Sequence, residues 1–379
     1  MKKTRRQLLK YAVVIGGIVL LAGIVIILLL LRQSATIDER IAQFEARRKI
    51  PDSENAAVIY NKIFEKYNYK EFDPCSAGIK IDDSNYLSKF WKRQDFPDAA
   101  VFLDKYQGLI SELYEVRKYN KCNFPIIWDS FTGLSSLSSD NLFLSKKLAQ
   151  LLVLSSNNGV GEGKIDEAIE KLACLLTISN HMSQQPTLIN QSMGMAFETL
   201  CLARLKYLIV ESNISEKQLQ TVQEFPFDVQ NKWEDIIKEQ SEAEELNREK
   251  IFQKLPPLEH LKYRLIYKKS LLKSISIIPH HIYLNLLTDR RTNRIFIGLR
   301  RYKNQNGVWP ASLEEIKPFI KEKEAFVDPQ NGGTFVYKKI KYNFTLYSRG
   351  ANNIDEGGKY NTDSQGKILT DDWMIWPAK

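Results

Sequence analysis

Few of the residues that most often build catalytic and metal centres are present, since only four cysteines and four histidines occur among 379 residues. The absence of a CxxC pair leaves zinc ribbons and thioredoxin-like redox motifs without support. HExxH and GxSxG are also absent, which excludes the motifs of zinc metalloproteases and α/β-hydrolases. The one adjacent histidine pair, His280-His281, has no further ligand at metal-binding spacing and is typical of a polar helix surface.

The glycine-rich stretch GVGEGK, residues 159–164, does not match a phosphate-binding loop. The spacing between its first glycine and the Gly-Lys pair is one residue short of the Walker A pattern. Ile165 also stands where that pattern needs Ser or Thr to contact magnesium. The stretch therefore predicts a loop between two helices.

The four cysteines differ in their surroundings. Cys75 and Cys122 lie in turn-like segments, where they either pair in a disulfide or remain as thiols. Cys174 and Cys201 lie in helical segments on either side of a break near Pro186. If those helices pack antiparallel, the two cysteines are out of step by about 7 Å of helical rise, which exceeds disulfide geometry. Two buried thiols are therefore predicted at these positions.

The net charge of +9 comes largely from the N-terminal end of the chain. Six of the 54 basic residues lie at or next to an apolar run there, namely Lys2, Lys3, Arg5, Arg6, Lys10 and Arg32. Without these six, the basic residues barely outnumber the 45 acidic ones. A nearly balanced remainder has no electrostatic footprint for DNA or RNA, so no nucleic-acid partner is predicted.

The apolar run covers residues 11–31 and contains neither a charged side chain nor an amide side chain. A helix needs about 20 apolar residues to cross a bilayer, so the run predicts a transmembrane anchor in contact with the lipid bilayer. The basic residues 1–10 predict a cytoplasmic tail, which makes the chain a single-pass inner-membrane protein with its remainder outside the cytoplasm. A cleaved signal peptide is the alternative, but its apolar stretch is usually about 7–15 residues and ends in a small-residue cleavage site.

The rest of the chain changes character near residue 304. Apolar residues recur at helical spacing before this point, whereas Gly, Asn and Asp become dense after it. Two short aromatic-rich pieces, 335–337 and 344–347, predict a β-hairpin. We therefore predict a mainly α fold: an N-terminal transmembrane helix, an antiparallel helical ectodomain over 32–304, and a small C-terminal α+β unit with a short hairpin over 305–379.

The C-terminal unit carries five short motifs in order: WPASL at 309–313, DPQNGGTFVY at 328–337, LYSRG at 346–350, DEGG at 355–358 and the pair Asp371-Asp372. This set resembles the C-terminal region of type II secretion major pseudopilins. It resembles even more closely a group of uncharacterised membrane-anchored proteins from planctomycete-like bacteria. That second resemblance extends over residues 160–379 and implies no activity.

In the pseudopilins the C-terminal loop binds calcium, and the resemblance implies a calcium site here. By motif position the candidate ligands are Asp355 and Asp371 first, then Asn352, Asp372 and Asp363. Calcium takes roughly six to eight oxygen ligands from carboxylates, amides and carbonyls, which such a loop supplies. Two departures favour weaker binding, because Asn352-Asn353 replace the usual acid or glycine and the segment before Asp371 is long. The alternative is a Gly/Asn/Asp-rich turn held by hydrogen bonds.

The N-terminal end departs from the pseudopilin pattern. Residues 11–31 contain no glutamate of the kind that sets assembly register in pseudopilins, and no leader-processing site precedes them. We therefore expect a non-enzymatic cell-envelope scaffold or interaction protein with a protein partner, allied to a secretion or pilus-like assembly. The alternative is a membrane-anchored extracytoplasmic enzyme with its site in the helical domain.

Overall fold

The computed structural model describes residues 2–68, 70, 89–128, 134–227, 233–256, 259, 280–363, 365 and 368–377. Within these ranges the chain is mainly α-helical with a small antiparallel sheet at its C-terminal end, which confirms the predicted fold class at this level. The α-helices are α1 Lys2–Arg48, α2 Ala57–Lys66, α3 Pro97–Lys105, α4 Gln107–Glu115, α5 Ser139–Gly161, α6 Ile165–Ser183, α7 Leu188–Glu211, α8 Glu216–Gln223, α9 Trp233–Gln253 and α10 His280–Asn306. The strands are β1 Val336–Ile340, β2 Asn343–Ser348, β3 Tyr360–Thr362, β4 Ile368–Asp371 and β5 Trp373–Trp376.

The apolar run at 11–31 is part of α1, and its described large apolar side chains between Ile18 and Leu28 are exposed. Over the residues that the structure describes, no helix is both long enough and apolar enough to cross a membrane. The predicted transmembrane anchor at 11–31 and the inner-membrane location are corrected accordingly. The prediction treated the run as an element of its own, whereas the structure continues the helix through charged residues on both sides.

The C-terminal part of α1 packs along α9. Ile37, Ile41 and Phe44 of α1 meet Ala243 and Leu246 of α9 in a small hydrophobic cluster. Three arginines of α1 also form ion pairs with glutamates of α9: Arg40 with Glu249, Arg47 with Glu242 and Arg48 with Glu239. The pairs of Arg40 and Arg47 are exposed and contribute typically about 0–1 kcal/mol each, whereas the Arg48 side chain is only 12% exposed. The buried apolar contact therefore stabilises this helix pair more than the two exposed ion pairs do.

The antiparallel pair α6 and α7 lies at the centre of the main hydrophobic core. Gly194 of α7 lies so close to α6 that a Cβ at this position would be 2.8 Å from the carbonyl oxygen of Ser179. The Ser179 hydroxyl donates a hydrogen bond to the Gly194 carbonyl at 2.8 Å. The two helices therefore approach closely because one of them has no side chain at the contact.

The described cysteines are buried free thiols. Cys174 and Cys201 follow the prediction, and their thiols donate hydrogen bonds to backbone carbonyls of Leu113 and Leu172, both at 3.3 Å. Cys122 is buried as well. The predicted alternative of a disulfide between Cys122 and Cys75 lies outside the described residues, because Cys75 is not among them.

The C-terminal strands form two small sheets. β1 and β2 pair antiparallel and form the predicted hairpin, and β5 adds to the other side of β2. β3 and β4 pair with each other in a separate two-stranded ribbon, in which Tyr360 lies opposite Asp371. The ribbon and the three-stranded sheet join at the short step between β4 and β5.

The three-stranded sheet packs directly on α7 and α10. The ring of Phe296 on α10 lies 6.2 Å from that of Phe344 and 6.1 Å from that of Trp376, measured between centroids. The Lys206 ammonium group on α7 donates a hydrogen bond to the carbonyl of Ile375 at 3.1 Å. The predicted division at residues 304 and 305 therefore marks a change of composition, while one hydrophobic core runs through both parts.

A buried ion pair ties α7 to α10. Arg290 binds Glu198 through two hydrogen bonds, and the Nη2–Oε2 distance is 2.6 Å. The two side chains are 6% and 8% exposed, so neither charge is solvated. Asp289 lies nearby, where burial raises the pKa of its carboxyl to about 6 although Lys206 lowers it. Removing either partner would leave a buried charge unpaired, which would lower the free energy of unfolding.

Candidate metal centre

A cluster of three carboxylates lies where the two small sheets meet. β4 ends at Asp371 and β5 begins at Trp373, so Asp372 is the single residue between them. Glu356, from the loop 349–359 between β2 and β3, completes the cluster. One oxygen atom from each of these three side chains lies within 4.8 Å of the other two.

Asp372 is the buried member of the cluster, with 0% of its surface exposed. Its Oδ2 accepts hydrogen bonds from the backbone amides of Glu356 and Gly358 at 2.8 and 2.7 Å. Its Oδ1 is also buried and has no hydrogen-bond partner among the described residues. Burial raises the pKa of the Asp372 carboxyl, the two amide hydrogen bonds lower it, and the charge of Glu356 raises it again.

Asp371 is oriented by the backbone in the same way. Its Oδ2 accepts hydrogen bonds from the amides of Ala351 and Asn352 at 2.9 and 3.1 Å. Its Oδ1 is buried and, like the Oδ1 of Asp372, has no partner in the described part of the chain. Each aspartate therefore uses one oxygen to hold the loop and keeps the other unsatisfied.

Glu356 reaches the cluster from the loop and is half-buried. Its Oε2 accepts a hydrogen bond from the backbone amide of Asp371 at 2.7 Å. Its Oε1 accepts a longer bond, 3.3 Å, from the side-chain amide of Asn352. Because a carboxylate oxygen can accept more than one bond, Glu356 retains the capacity to bind a cation.

The charges of the cluster favour a cation. Three carboxylates at this separation repel one another, and leaving a buried acceptor unpaired costs about 1–3 kcal/mol. A cation bound between the three carboxylates would neutralise this repulsion. An all-oxygen donor set without thiolate or imidazole is typical of calcium and magnesium sites rather than zinc or copper sites. The residues present therefore fit a hard divalent cation.

Of the five residues predicted as calcium ligands, Asp371 and Asp372 lie in the cluster. Asn352 borders it and contacts both Asp371 and Glu356, but its side-chain oxygen accepts a hydrogen bond from the amide of Ile354 at 2.7 Å. Its contribution is therefore to position two carboxylates through donated hydrogen bonds.

The structure places the other two predicted ligands outside the carboxylate cluster. The Asp355 carboxylate accepts hydrogen bonds from the Tyr347 hydroxyl at 2.7 Å and from the amide of Gly357 at 3.0 Å, and it lies 3.6 Å from the Lys338 ammonium. The hydrogen bond from Tyr347 is the main reason that the pKa of Asp355 is lowered. Asp363 follows β3, where its carboxylate accepts a hydrogen bond from the amide of Gln365 at 2.9 Å.

Glu356 was missed because motif position favoured its neighbour Asp355. The motif DEGG contains both acids, and the two glycines after them decide which one joins the cluster. Gly357 and Gly358 adopt φ angles of +73° and +76°, in the left-handed region that glycine tolerates. This backbone path turns the amides of Glu356 and Gly358 toward Asp372. The two glycines directly after the two acids were the feature of the sequence that could have indicated a role for Glu356.

The chain was compared with models of protein families, with characterised proteins and with solved structures, and it matches none of them. The resemblance to pseudopilins therefore depends on the five C-terminal motifs alone.

A small cavity lies at another place in the fold, between α10 and the 3-10 helix Leu313–Phe319. Its volume is about 80 Å³, and Phe225, Phe227 and Phe319 form much of its wall. Its one carboxylate, from Glu322, lies 4.0 Å from the guanidinium of Arg294. The described residues that line it include no serine, cysteine or histidine. The cavity therefore gives the enzyme alternative no nucleophile with a neighbouring base.

Proposed function

We propose that this protein is a non-enzymatic scaffold or interaction protein whose C-terminal unit binds a calcium ion at Glu356, Asp371 and Asp372. The observation that carries the proposal is the pair of buried, unpartnered Oδ1 atoms of Asp371 and Asp372 beside a third carboxylate. The hydrogen bonds of the loop use the Oδ2 atoms of these two aspartates and leave the Oδ1 atoms without a donor among the described residues.

Calcium suits the cluster better than magnesium does. Magnesium needs near-octahedral geometry at about 2.0–2.1 Å and keeps most of its waters, whereas calcium accepts irregular sets of roughly six to eight oxygens. Glu356 comes from the loop 349–359, whereas Asp371 ends β4 and Asp372 follows it, and the three carboxylates supply three of those ligands. Waters and backbone carbonyls would supply the remaining ones.

The β3–β4 ribbon supports an interaction role. Its large apolar side chains stand exposed to solvent beside the cluster: Tyr360 is 54%, Ile368 is 54% and Leu369 is 59% exposed. Ile368 and Leu369 are adjacent in one strand and so face opposite sides of the ribbon. These exposed apolar side chains are available for contact with a partner. An alliance with a secretion or pilus-like assembly is supported by the five motifs alone.

Calorimetric titration of the purified chain with calcium tests the proposal. The unmodified protein should bind one calcium ion per chain, and Asp372→Asn should weaken binding by at least about tenfold, or about 1.4 kcal/mol. Asp355→Asn is the matched control, because it makes the same change one residue from Glu356 on a carboxylate that faces Tyr347 and Lys338. It should bind calcium with the affinity of the unmodified protein.

Two results would contradict the proposal. One is the absence of calcium binding by the unmodified protein. The other is a loss of affinity in Asp355→Asn with none in Asp372→Asn, which would favour the ligands expected from motif position. Thermal unfolding gives an independent readout, since calcium at about a hundred times its dissociation constant should stabilise the fold by about 2.7 kcal/mol.

A further inference from the structure

The turn at residues 328–333 is organised by the side chains of Asp328, which is buried, and Asn331, which is half-buried. Asp328 is fully buried, and its carboxylate accepts hydrogen bonds from the amide of Gln330 at 3.0 Å and from the Asn331 side chain at 3.1 Å. The Asn331 side-chain oxygen accepts a hydrogen bond from the amide of Gly333 at 2.7 Å. The turn therefore holds the Asn331 amide in one orientation.

Asn331 also reaches the loop that holds the carboxylate cluster. Its Nδ2 donates a second hydrogen bond, 2.7 Å long, to the carbonyl of Gly350. Gly350 directly precedes Ala351 and Asn352, whose amides bind Oδ2 of Asp371. A continuous series of hydrogen bonds thus runs from the Asp328 carboxylate to the Asp371 carboxylate.

We infer that Asn331 is a positioning residue of the calcium site, which holds the Gly350 carbonyl so that the next two amides orient the Asp371 carboxylate. The inference rests on the proposed function, since it concerns the same site. Groups that orient metal ligands without touching the ion are worth about 10–100-fold in metal affinity. The motif DPQNGG therefore helps to position a ligand of the cation site, although it is distant from Asp371 in the sequence.

The inference also explains why the side chain at 331 is an amide. Asn331 donates to two oxygens and accepts from one amide, and only a side chain that carries both an NH₂ group and an oxygen can do this. Aspartate would keep the acceptor for Gly333 but could not donate to the Gly350 carbonyl. Alanine would lose all three bonds.

Calcium affinity of the full chain, measured by calorimetry, tests the inference with two variants of Asn331. Asn331→Ala should bind calcium about 10–100-fold more weakly. Asn331→Asp should also bind more weakly, although its added negative charge would by itself attract a cation. Positioning predicts weaker calcium binding by Asn331→Asp, whereas the added charge alone predicts tighter binding, so the variant distinguishes the two explanations. Asn331→Asp also serves as the second variant if Asn331→Ala does not fold.

Tyr337→Phe is the matched control for general loss of stability in this unit. It removes the hydrogen bond from the Tyr337 hydroxyl to the Pro310 carbonyl, which is 2.9 Å long and lies away from the cluster. It should lower the melting temperature in chelator and leave calcium affinity unchanged. Terbium bound in place of calcium gives a second readout, since its luminescence lifetime reports the number of coordinated waters. That number should rise in Asn331→Ala and stay constant in Tyr337→Phe.

The possible results separate the two proposals. If the unmodified protein binds no calcium, the proposed function fails and the inference fails with it. If the unmodified protein binds calcium and both Asn331 variants bind it equally well, only the inference is overturned. An equal loss of affinity in Tyr337→Phe would also overturn it, because the effect would then follow from stability alone.

Discussion

Gly350 and Asp371 lie against each other with no room for a side chain between them. A Cβ placed on Gly350 would be 2.3 Å from Oδ1 of Asp371 and 2.3 Å from the carbonyl oxygen of the same residue. The φ angle of Gly350 is +59°, in the left-handed region that other residues rarely adopt. The glycine that ends the LYSRG motif is therefore a requirement of the carboxylate cluster as well as of the chain path.

This contact predicts the effect of Gly350→Ala. The new methyl group would displace the Asp371 carboxylate, so we expect calcium affinity to fall by at least about tenfold, with a loss of about 1–3 kcal/mol in unfolding free energy. Gly307→Ala is the matched control, because Gly307 has a φ angle of +76° but open space where its Cβ would be. It should lose stability and keep its calcium affinity in the same calorimetric titration. Equal calcium affinities in the two variants would argue against the displacement.

The buried ion pair between α7 and α10 predicts strong coupling between Glu198 and Arg290. Glu198→Gln leaves the Arg290 guanidinium without its charged partner, and we expect the free energy of unfolding to fall by about 3–5 kcal/mol. Glu198→Leu combined with Arg290→Met should recover much of this loss, since apolar replacements for a buried pair are often tolerated. Urea unfolding of the single and double variants measures both. A double variant that is no more stable than Glu198→Gln would show that the loss does not come from the unpaired charge of Arg290.

The close approach of α6 and α7 predicts that Gly194 cannot be enlarged. Gly194→Ala would bring a methyl group against the Ser179 carbonyl and the Ser183 hydroxyl, and we expect a loss of about 1–3 kcal/mol. Gly108→Ala makes the same change in α4, where nothing lies within 4 Å of the new atom. Reduced chain entropy in the unfolded state should make this control more stable by about 0.4–1 kcal/mol. Opposite signs in urea unfolding are the expected result, and two losses of the same size would refute it.

His181 predicts a pH dependence of stability. Its Nε2 donates to the carbonyl of Tyr119 at 2.8 Å, so its Nδ1 accepts the hydrogen bond from the Tyr60 hydroxyl at 3.0 Å. Burial lowers the pKa of His181 to about 4, although the hydrogen bond to Tyr119 raises it. In the unfolded chain a histidine has a pKa of about 6.5. Between these values the unfolded chain binds a proton that the folded chain does not.

The stabilisation from neutral His181 is therefore fully present above about pH 6.5 and is lost as the pH falls toward about 4, by up to about 3 kcal/mol. Asp289 acts in the opposite direction, because its pKa in the folded state is raised to about 6. The measurement is therefore the difference in unfolding free energy between the unmodified protein and His181→Gln, in which the Asp289 contribution cancels. This difference should shrink between pH 6.5 and 4.5. A constant difference would show that His181 is not buried in its neutral form.

Much of the helical architecture was predictable because it depends on local periodicity. Apolar residues three and four positions apart marked α6 and α7, and the aromatic-rich pieces near Phe344 marked the hairpin. Predictions that depended on a single run were less reliable. The uncharged residues 11–31 satisfied a local rule for a membrane span, but within the described residues no helix meets the requirement.

By itself, the sequence determined the helical and hairpin elements, the buried thiols of Cys174 and Cys201, and the presence of acids near Asp371 in a glycine-rich loop. Only the tertiary structure decided that Glu356 rather than Asp355 joins Asp371 and Asp372. The carboxylates of Asp355 and Glu356 face different directions, and the backbone path through Gly357 and Gly358 sets those directions. The same holds for Asn331, which acts on Asp371 through a contact that no local pattern encodes.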